Sequence, residues 1–477
     1  MSHIRFCLGF VLFVLAFAVF AEAQAQETEW ANGAPPELIL EKADGYAGIW
    51  YYNQRQDNEY VYKYSGGLGT YCAKHIPFAV YSPEANKTFF VYGGARGDSE
   101  SLLHMVSYYD HETGLVPRPT ILLDKGTTDA HDNPVLSIDG EGYLWVFCSS
   151  HGTSRPSRIL KSVRPYDIDE FECVRSTNFS YPQIWHLDEG GFLFLHTRYE
   201  NGHRRLFSIA SPDGLQWEEP QMAAYMEFGH YGVSWSDGRK VGWAFNMHPV
   251  GKGLNYRTNL YYIETEDGGT TWCTAEGGNV EFPMTETDVP ALVYDYQSEG
   301  RNVYMKDVAF DGEGRPVILY VTSDGWEAGP ENGPRLWQTA RWTGEEWEIR
   351  GQIESDNNYD TGSLTIAPNG LWRLVGPTET GPQPYNPGGE IAMWTSDDQG
   401  ATWDQVAQLT SDGPYNHTYC RKPVDAHPEF YRLWADGHGR QPSDSRLYFC
   451  DIEGNVRRLP PIMDEDFAEP EQYVPGE

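Results

Sequence analysis

A short turn signature recurs along this chain and limits its fold more than any other feature. It reads Ser211-Pro-Asp-Gly-Leu-Gln-Trp217, Thr265-Glu-Asp-Gly-Gly-Thr-Thr-Trp272 and Thr395-Ser-Asp-Asp-Gln-Gly-Ala-Thr-Trp403. Asp and Gly supply the turn of a β-hairpin, and the Trp that follows supplies a large flat cover for the next packed layer. Trp217 and Trp272 stand 55 residues apart, and the 131 residues from there to Trp403 are divided by Gly344-Glu-Glu-Trp347 into 75 and 56. A unit of roughly 50–60 residues is the size of one four-stranded propeller blade, and about 400 residues at that period make seven blades.

The stretches between the turns agree with this. Lys87-Thr-Phe-Phe-Val-Tyr-Gly, Gly142-Tyr-Leu-Trp-Val-Phe, Gly191-Phe-Leu-Phe-Leu-His and Asn259-Leu-Tyr-Tyr-Ile-Glu read as short aromatic strands, and no segment longer than a few residues has helical periodicity. The 31 Tyr, 16 Trp and 21 Phe beside 49 Gly and 31 Pro suit many short strands joined by tight turns. The expectation is an all-β chain folded as a seven-bladed β-propeller of four-stranded antiparallel blades. Its bounds are a lead-in over 26–44, one propeller domain over 45–460 and an acidic tail over 461–477.

Residues 1–25 read as a cleavable export signal: His3 and Arg5, an apolar run from Cys7 to Phe20, then Ala21-Glu-Ala-Gln-Ala25. The run is shorter than the roughly 20 residues that span a bilayer, and no later stretch is long enough. The expected location is therefore secreted or periplasmic, and the expected state is a monomer. A net charge of −34 argues against nucleic acid and anionic membranes as partners. It leaves an acidic substrate open, because nearby residues set the potential inside a cleft. Six cysteines (Cys72, Cys148, Cys173, Cys273, Cys420 and Cys450) follow the signal, too widely spaced for a compact disulfide scaffold.

Four segments interrupt the strand-and-turn pattern with polar groups beside Gly, Pro or aromatics. Thr128-Asp-Ala-His131-Asp-Asn-Pro and Cys148-Ser-Ser-His151-Gly place two histidines 20 residues apart, one strand-turn-strand excursion, so both can reach one face. Phe179-Ser-Tyr181-Pro precedes a strand ending in His196-Thr-Arg198-Tyr199, and the proline predicts an extended backbone at Tyr181. Phe228-Gly-His230-Tyr231 and Asn246-Met-His248-Pro complete the set, with Cys273 one hairpin further on. Mixed imidazole and thiolate ligands suit zinc, so His248 and Cys273 form a candidate structural site, with His417 and Cys420 as a competing pair. A nucleophile elbow, a phosphate loop and a dinucleotide fingerprint are all absent from the sequence. A phenol, imidazoles and a guanidinium on one face supply groups for proton transfer and a partner for a carboxylate, without singling out a reaction by themselves.

The turn signatures resemble the Asp-boxes of sialidase-like propellers. Tyr62-Lys-Tyr-Ser-Gly-Gly-Leu-Gly-Thr-Tyr-Cys-Ala-Lys-His75, Asp129-Ala-His131-Asp-Asn-Pro, Ser150-His151-Gly and Gly381-Pro-Gln-Pro-Tyr-Asn-Pro-Gly-Gly-Glu390 resemble the secreted propeller polysaccharide lyases, the ulvan lyases above all. The resemblance runs from about Gly45 to Leu459. It implies a polysaccharide lyase that cleaves ulvan, an acidic sulfated polysaccharide, by β-elimination at uronic acids linked to 3-sulfated rhamnose. It further implies catalysis by His131 and Tyr181, substrate binding by His151, Arg198 and Tyr231, no cofactor for the chemistry, and a structural zinc in some relatives. Tyr199 and Arg204 compete with Tyr181 and Arg198. A related branch of α-L-rhamnosidases acts on rhamnose linked to glucuronate from the opposite propeller face, which would make His75 the key residue. A catalytically silent glycan-binding propeller is the third reading.

Overall fold

A computed structural model describes residues 38–68, 74–96 and 99–476. The export signal and Cys72 lie outside the described residues. Seven antiparallel sheets follow one another along the chain, each built from strands in sequence order from the innermost outward. Numbered by their inner strands, the blades begin at Ala79–Ser82, Pro134–Ile138, Ser180–His186, Gly232–Ser236, Asn302–Phe310, Ser363–Ile366 and Asn416–Arg421. The expected seven-bladed β-propeller is the observed fold. Ala130–Asp132 and Pro330–Asn332 form single 3-10 turns, and among the described residues no helix is long and apolar enough to cross a membrane.

The strand chemistry follows from blade packing. A blade in the ring is covered on both faces, so its inner strands lack the apolar-polar alternation of a half-exposed sheet. Val241–Met247 and Pro316–Ser323 are buried at every position. Phe147, Phe179, Phe194 and Trp217 fill the gap between blades 2 and 3.

The turn signature does the work its composition implies. The Asp213 carboxylate accepts the backbone N–H groups of Leu215 and Gln216 at 2.9 and 2.7 Å, and Asp267 and Asp398 accept the corresponding groups of Thr271 and Thr402. Gly214 has φ +73°, and a Cβ there would lie 2.5 Å from the Trp145 ring of the preceding blade. The signature therefore fixes both a turn and the distance between blades.

Ring closure uses both ends of the chain. The N-terminal segment bonds blade 7 through Tyr46 N–H to the Pro460 carbonyl and Gly48 N–H to the Ser445 carbonyl, both at 2.9 Å, and blade 1 through Ile49 N–H to the Gly93 carbonyl at 2.9 Å. Glu41–Lys42 adds an outer strand to blade 1, Phe467–Ala468 pairs with Val116–Pro117, and Glu471–Gln472 extends blade 7. The inner strands meet where Val80 bridges Val424.

Gly214→Ala is expected to destabilise the chain by about 2 kcal/mol, from left-handed backbone strain plus the clash with Trp145. A urea unfolding midpoint unchanged from wild type would refute this role for the turn.

Candidate active site

Strand direction decides which loops share a face. Loops entering a blade's first strand, and those joining its second to its third, emerge on one face. Turns joining first to second and third to fourth emerge on the other. His131 precedes the inner strand of blade 2, and His151 follows Leu144–Cys148, its second strand. Tyr181 begins blade 3, Tyr199 and Arg204 flank its second-to-third turn, and Tyr231 precedes blade 4. All therefore lie on one face.

Asp129 organises the histidines. It caps the 3-10 turn Ala130–Asp132, accepting the His131 backbone N–H. One carboxylate oxygen meets His131 Nδ1 in a short contact, and the other meets His151 Nδ1 at 2.8 Å. With both Nδ1–H groups donated to one carboxylate, both Nε2 atoms carry the lone pair. The rings stack 4.1 Å apart at 20°, and Tyr51 Oη lies 3.0 Å from His131 Nδ1. The His131 side chain is 3% exposed and that of His151 28%, so His151 is the member that faces solvent. Asp132 anchors the loop: it accepts the His151 backbone N–H at 2.6 Å and two bonds from Arg155 at 2.8 and 3.0 Å.

Burial would raise the Asp129 carboxyl, but the two imidazoles hold it well below the usual carboxylate range. Burial pushes His131 down to about 4 against the pull of that carboxylate. Near neutral pH the cluster therefore consists of an ionised carboxylate and a neutral buried imidazole able to accept a proton.

A chain of hydroxyls adjoins the histidines. Tyr181 Oη and Tyr199 Oη are 3.1 Å apart, and Arg204 Nε–H donates to Tyr199 Oη at 3.0 Å. The Tyr199 ring lies 5.7 Å from His151, and Tyr181 lies 6.2 Å from each histidine. Tyr231 stands 5.3 Å from Tyr181, with the guanidinium groups of Arg204 and Arg257 over it at 4.9 and 4.5 Å. Lys63 sits over Tyr64 and Trp326. Burial, then the charges of Arg257 and Arg204, hold its ammonium well below the usual lysine range. Three basic side chains thus converge in a chain whose net charge is −34.

The structure gathers His131, His151, Tyr181 and Tyr231, and it corrects four expectations. Tyr181 is not extended: its φ is +52°, at a bulge where the register shifts between Ser180 and Gln183. Arg198 stands on the alternate face of its strand, against His196 Nε2 at 3.2 Å and over the Phe207 ring. The guanidinium bonded into the hydroxyl chain is Arg204, because the hairpin register pairs Tyr199 with Arg204 and Arg198 with Arg205. His248 and Cys273 do not meet. His248 follows Met247 at one end of the blade 4 sheet, while Cys273 bridges Glu264 at the other, about 20 Å away by strand rise. The competing His417 accepts the Trp434 indole N–H at 3.0 Å. His75 is not on the opposite face either: it lies beneath the same site, with Nε2 2.9 Å from the His131 carbonyl and its ring 5.6 Å from Tyr181.

Sequence reading missed Asp129 as the clamp, and Arg257 and Lys63 as part of the cationic cluster. Asp129 was legible as the residue two before His131; the other two come from distant strands. A groove of about 500 Å³ is lined by Trp50, Tyr52, Thr128, Tyr415 and Arg446, and Thr128 is the chain neighbour of Asp129.

Comparison with known proteins bears on the family and the fold. Residues 104–354 match the model of the BNR repeat-containing family. An ulvan lyase of Nonlabens ulvanivorans is 24% identical over 345 residues, covering 62% of this chain and 70% of the relative. An ulvan lyase of Alteromonas sp. (strain LOR) is 21% identical over 371 residues, covering 69% and 73%. A solved PL25 ulvan lyase bound to -[GlcA(1-4)Rha3S]- superposes with a TM-score of 0.66 at 17% identity, covering 88% of this chain and 97% of its own. The polysaccharide lyase Uly1 does so at 0.59 and 12%, covering 88% and 100%. The expected likeness to the ulvan lyases is therefore met in sequence, and these structures share the fold.

The sign of the pH response follows from His131. Its proton affinity is lower folded than unfolded, so its contribution is complete above about pH 6.5 and is lost as pH falls toward about 4. From about pH 7 to about pH 5 this group alone should cost about 2 kcal/mol of stability. Urea midpoints at the two pH values check it: His131→Gln should flatten the dependence, and an unchanged slope would contradict the assignment.

Proposed function

The chain belongs to the BNR repeat-containing family, and from that premise we propose that it is a polysaccharide lyase that cleaves ulvan by β-elimination at uronic acids linked to 3-sulfated rhamnose. The observation that carries this reading is the single carboxylate, Asp129, holding two stacked imidazoles beside the Tyr181–Tyr199–Arg204 chain. The relatives named ulvan lyase, and the solved lyase that holds a glucuronate–sulfated rhamnose unit, support the substrate class.

Each residue's role follows from its surroundings. His151 is the exposed imidazole and takes the C5 proton on Nε2. Neutral His131 stacks beneath it and shares Asp129, which fixes the ring orientation. The C5 electron pair forms the C4=C5 double bond as the C4–O4 bond breaks. The departing O4 takes its proton from the Tyr199 hydroxyl, which is backed by Tyr181 and refilled from solvent. Arg204, Arg257 and Lys63 offset the uronate carboxylate, whose charge must be countered before C5 can be deprotonated. Crowding and burial disfavour the charged form of Lys63, and an anionic sugar would favour it again. The groove past Trp50 and Tyr52, whose rings lie 5.1 Å apart, gives a polymer room to continue.

Digestion of ulvan by the purified chain should release products with the ultraviolet absorbance of a conjugated uronate. Release of rhamnose without that absorbance would replace the lyase reading with a hydrolase, and binding without any product would leave a glycan-binding module. Tyr199→Phe should lower kcat by roughly 10²-fold or more at nearly unchanged KM. Near-wild-type turnover in Tyr199→Phe would remove this hydroxyl from the reaction.

A further inference from the structure

The face away from the histidine pair carries a second convergence of ligand-type side chains. His111 follows Ser99–Asp110, the third strand of blade 1. His427 and Glu429 lie between Asn416–Arg421 and Arg432–Gly437, the first two strands of blade 7. Strand direction puts both turns on the opposite face. One ligand atom from each residue lies within 4.8 Å of the others. His111 Nδ1 is 3.1 Å from Glu429 Oε2, and the two imidazole centroids are 3.8 Å apart. Tyr81 and Tyr109 wall the group, with centroids 4.9 to 5.3 Å from the histidine rings.

We propose that His111, His427 and Glu429 bind a divalent cation of the zinc class, which clips the last blade to the first. Two imidazole nitrogens and one carboxylate oxygen make a three-ligand set that zinc accepts, with the fourth position left to water. Tetrahedral ligands about 2.0–2.1 Å from an ion stand roughly 3.3 Å apart, close to the 3.1 Å between His111 and Glu429. His111 Nε2 lies 2.8 Å from the buried Thr88 hydroxyl. With Nε2–H donated there, the Nδ1 lone pair points toward the cluster, the orientation that an outer partner imposes on a metal-binding imidazole. An imidazole lone pair and a carboxylate facing each other at this distance need a proton or a cation between them. His427 gives up little to take part: in either ligation mode it loses one bond, from the Glu429 backbone N–H to its Nδ1 at 3.2 Å. The Glu429 side chain is 56% exposed, which gives an ion a path in.

The location gives the ion a task. The ligands are 318 residues apart in sequence for His111 and Glu429, and they flank the junction where Val80 meets Val424. A cation there would bind the closed ring and not the opened chain, so it should raise thermal stability. The test is zinc titration of the full chain by calorimetry and thermal unfolding, with and without chelator. Glu429→Gln and His427→Gln are compared with Asp129→Asn, which disables the other such cluster among the described residues. Wild type and Asp129→Asn should both gain stability with zinc and lose it with chelator. Glu429→Gln and His427→Gln, folded by circular dichroism, should bind roughly tenfold or more weakly and lose the gain. Unaltered zinc affinity in both variants, or a gain abolished by Asp129→Asn alone, would overturn the proposal.

Discussion

A sheet that is apolar on both faces has no stable exposed state, and the rest of this molecule follows from that constraint. Each of the seven blades needs a neighbour on either side, so the first and last must also meet. They do so through the chain's own ends. The segment from Tyr46 to Ile49 bonds blades 7 and 1 at once, and the strands Glu41–Lys42 and Phe467–Ala468 both attach to blade 1 or its outer turn. Trp145, Trp217 and Gly214 set the spacing between two of the middle blades.

Closure also fixes the site. With seven inner strands running the same way around an axis, alternate loops are delivered to alternate faces whatever their sequences. His131 and His151, two strands and one turn apart, arrive side by side, and Asp129 turns that proximity into a defined geometry. Tyr181 accepts a left-handed backbone, at a cost on the order of 1–3 kcal/mol, at the bulge that brings its hydroxyl to Tyr199. Strain held by surrounding packing is common where side chains must point in a functional direction.

Much of this was legible in the sequence because it is local. The Asp-Gly-Trp signature encodes a turn and its cover within seven to nine residues, and its period encodes the blade. The interval between His131 and His151 encodes a shared face. What escaped depends on register or on closure. Choosing Arg204 over Arg198 requires the hairpin pairing of residues 197–206, which no composition rule supplies. Joining His248 to Cys273 treated nearness in sequence as nearness in space, although the full length of one strand separates the two faces. Proline after Tyr181 suggested extension, and the bulge overrode it. His111, His427 and Glu429 belong to opposite ends of the chain, beyond the reach of any periodic reading.

The inward cluster of Lys63, Arg204 and Arg257 stands against an acidic exterior, and that contrast has a consequence for traffic. At about 0.1 M salt, fields from exposed charges fade over roughly 10 Å. A polyanion of the kind proposed as substrate would therefore meet weak repulsion over most of the surface, while Lys63, Arg204 and Arg257 stay buried within the fold. Such a molecule would hold few strands of polymer in unproductive places. Once a fragment has left the cationic pocket, the acidic exterior would discourage its rebinding, so a rise in ionic strength would blur the contrast between entrance and wall.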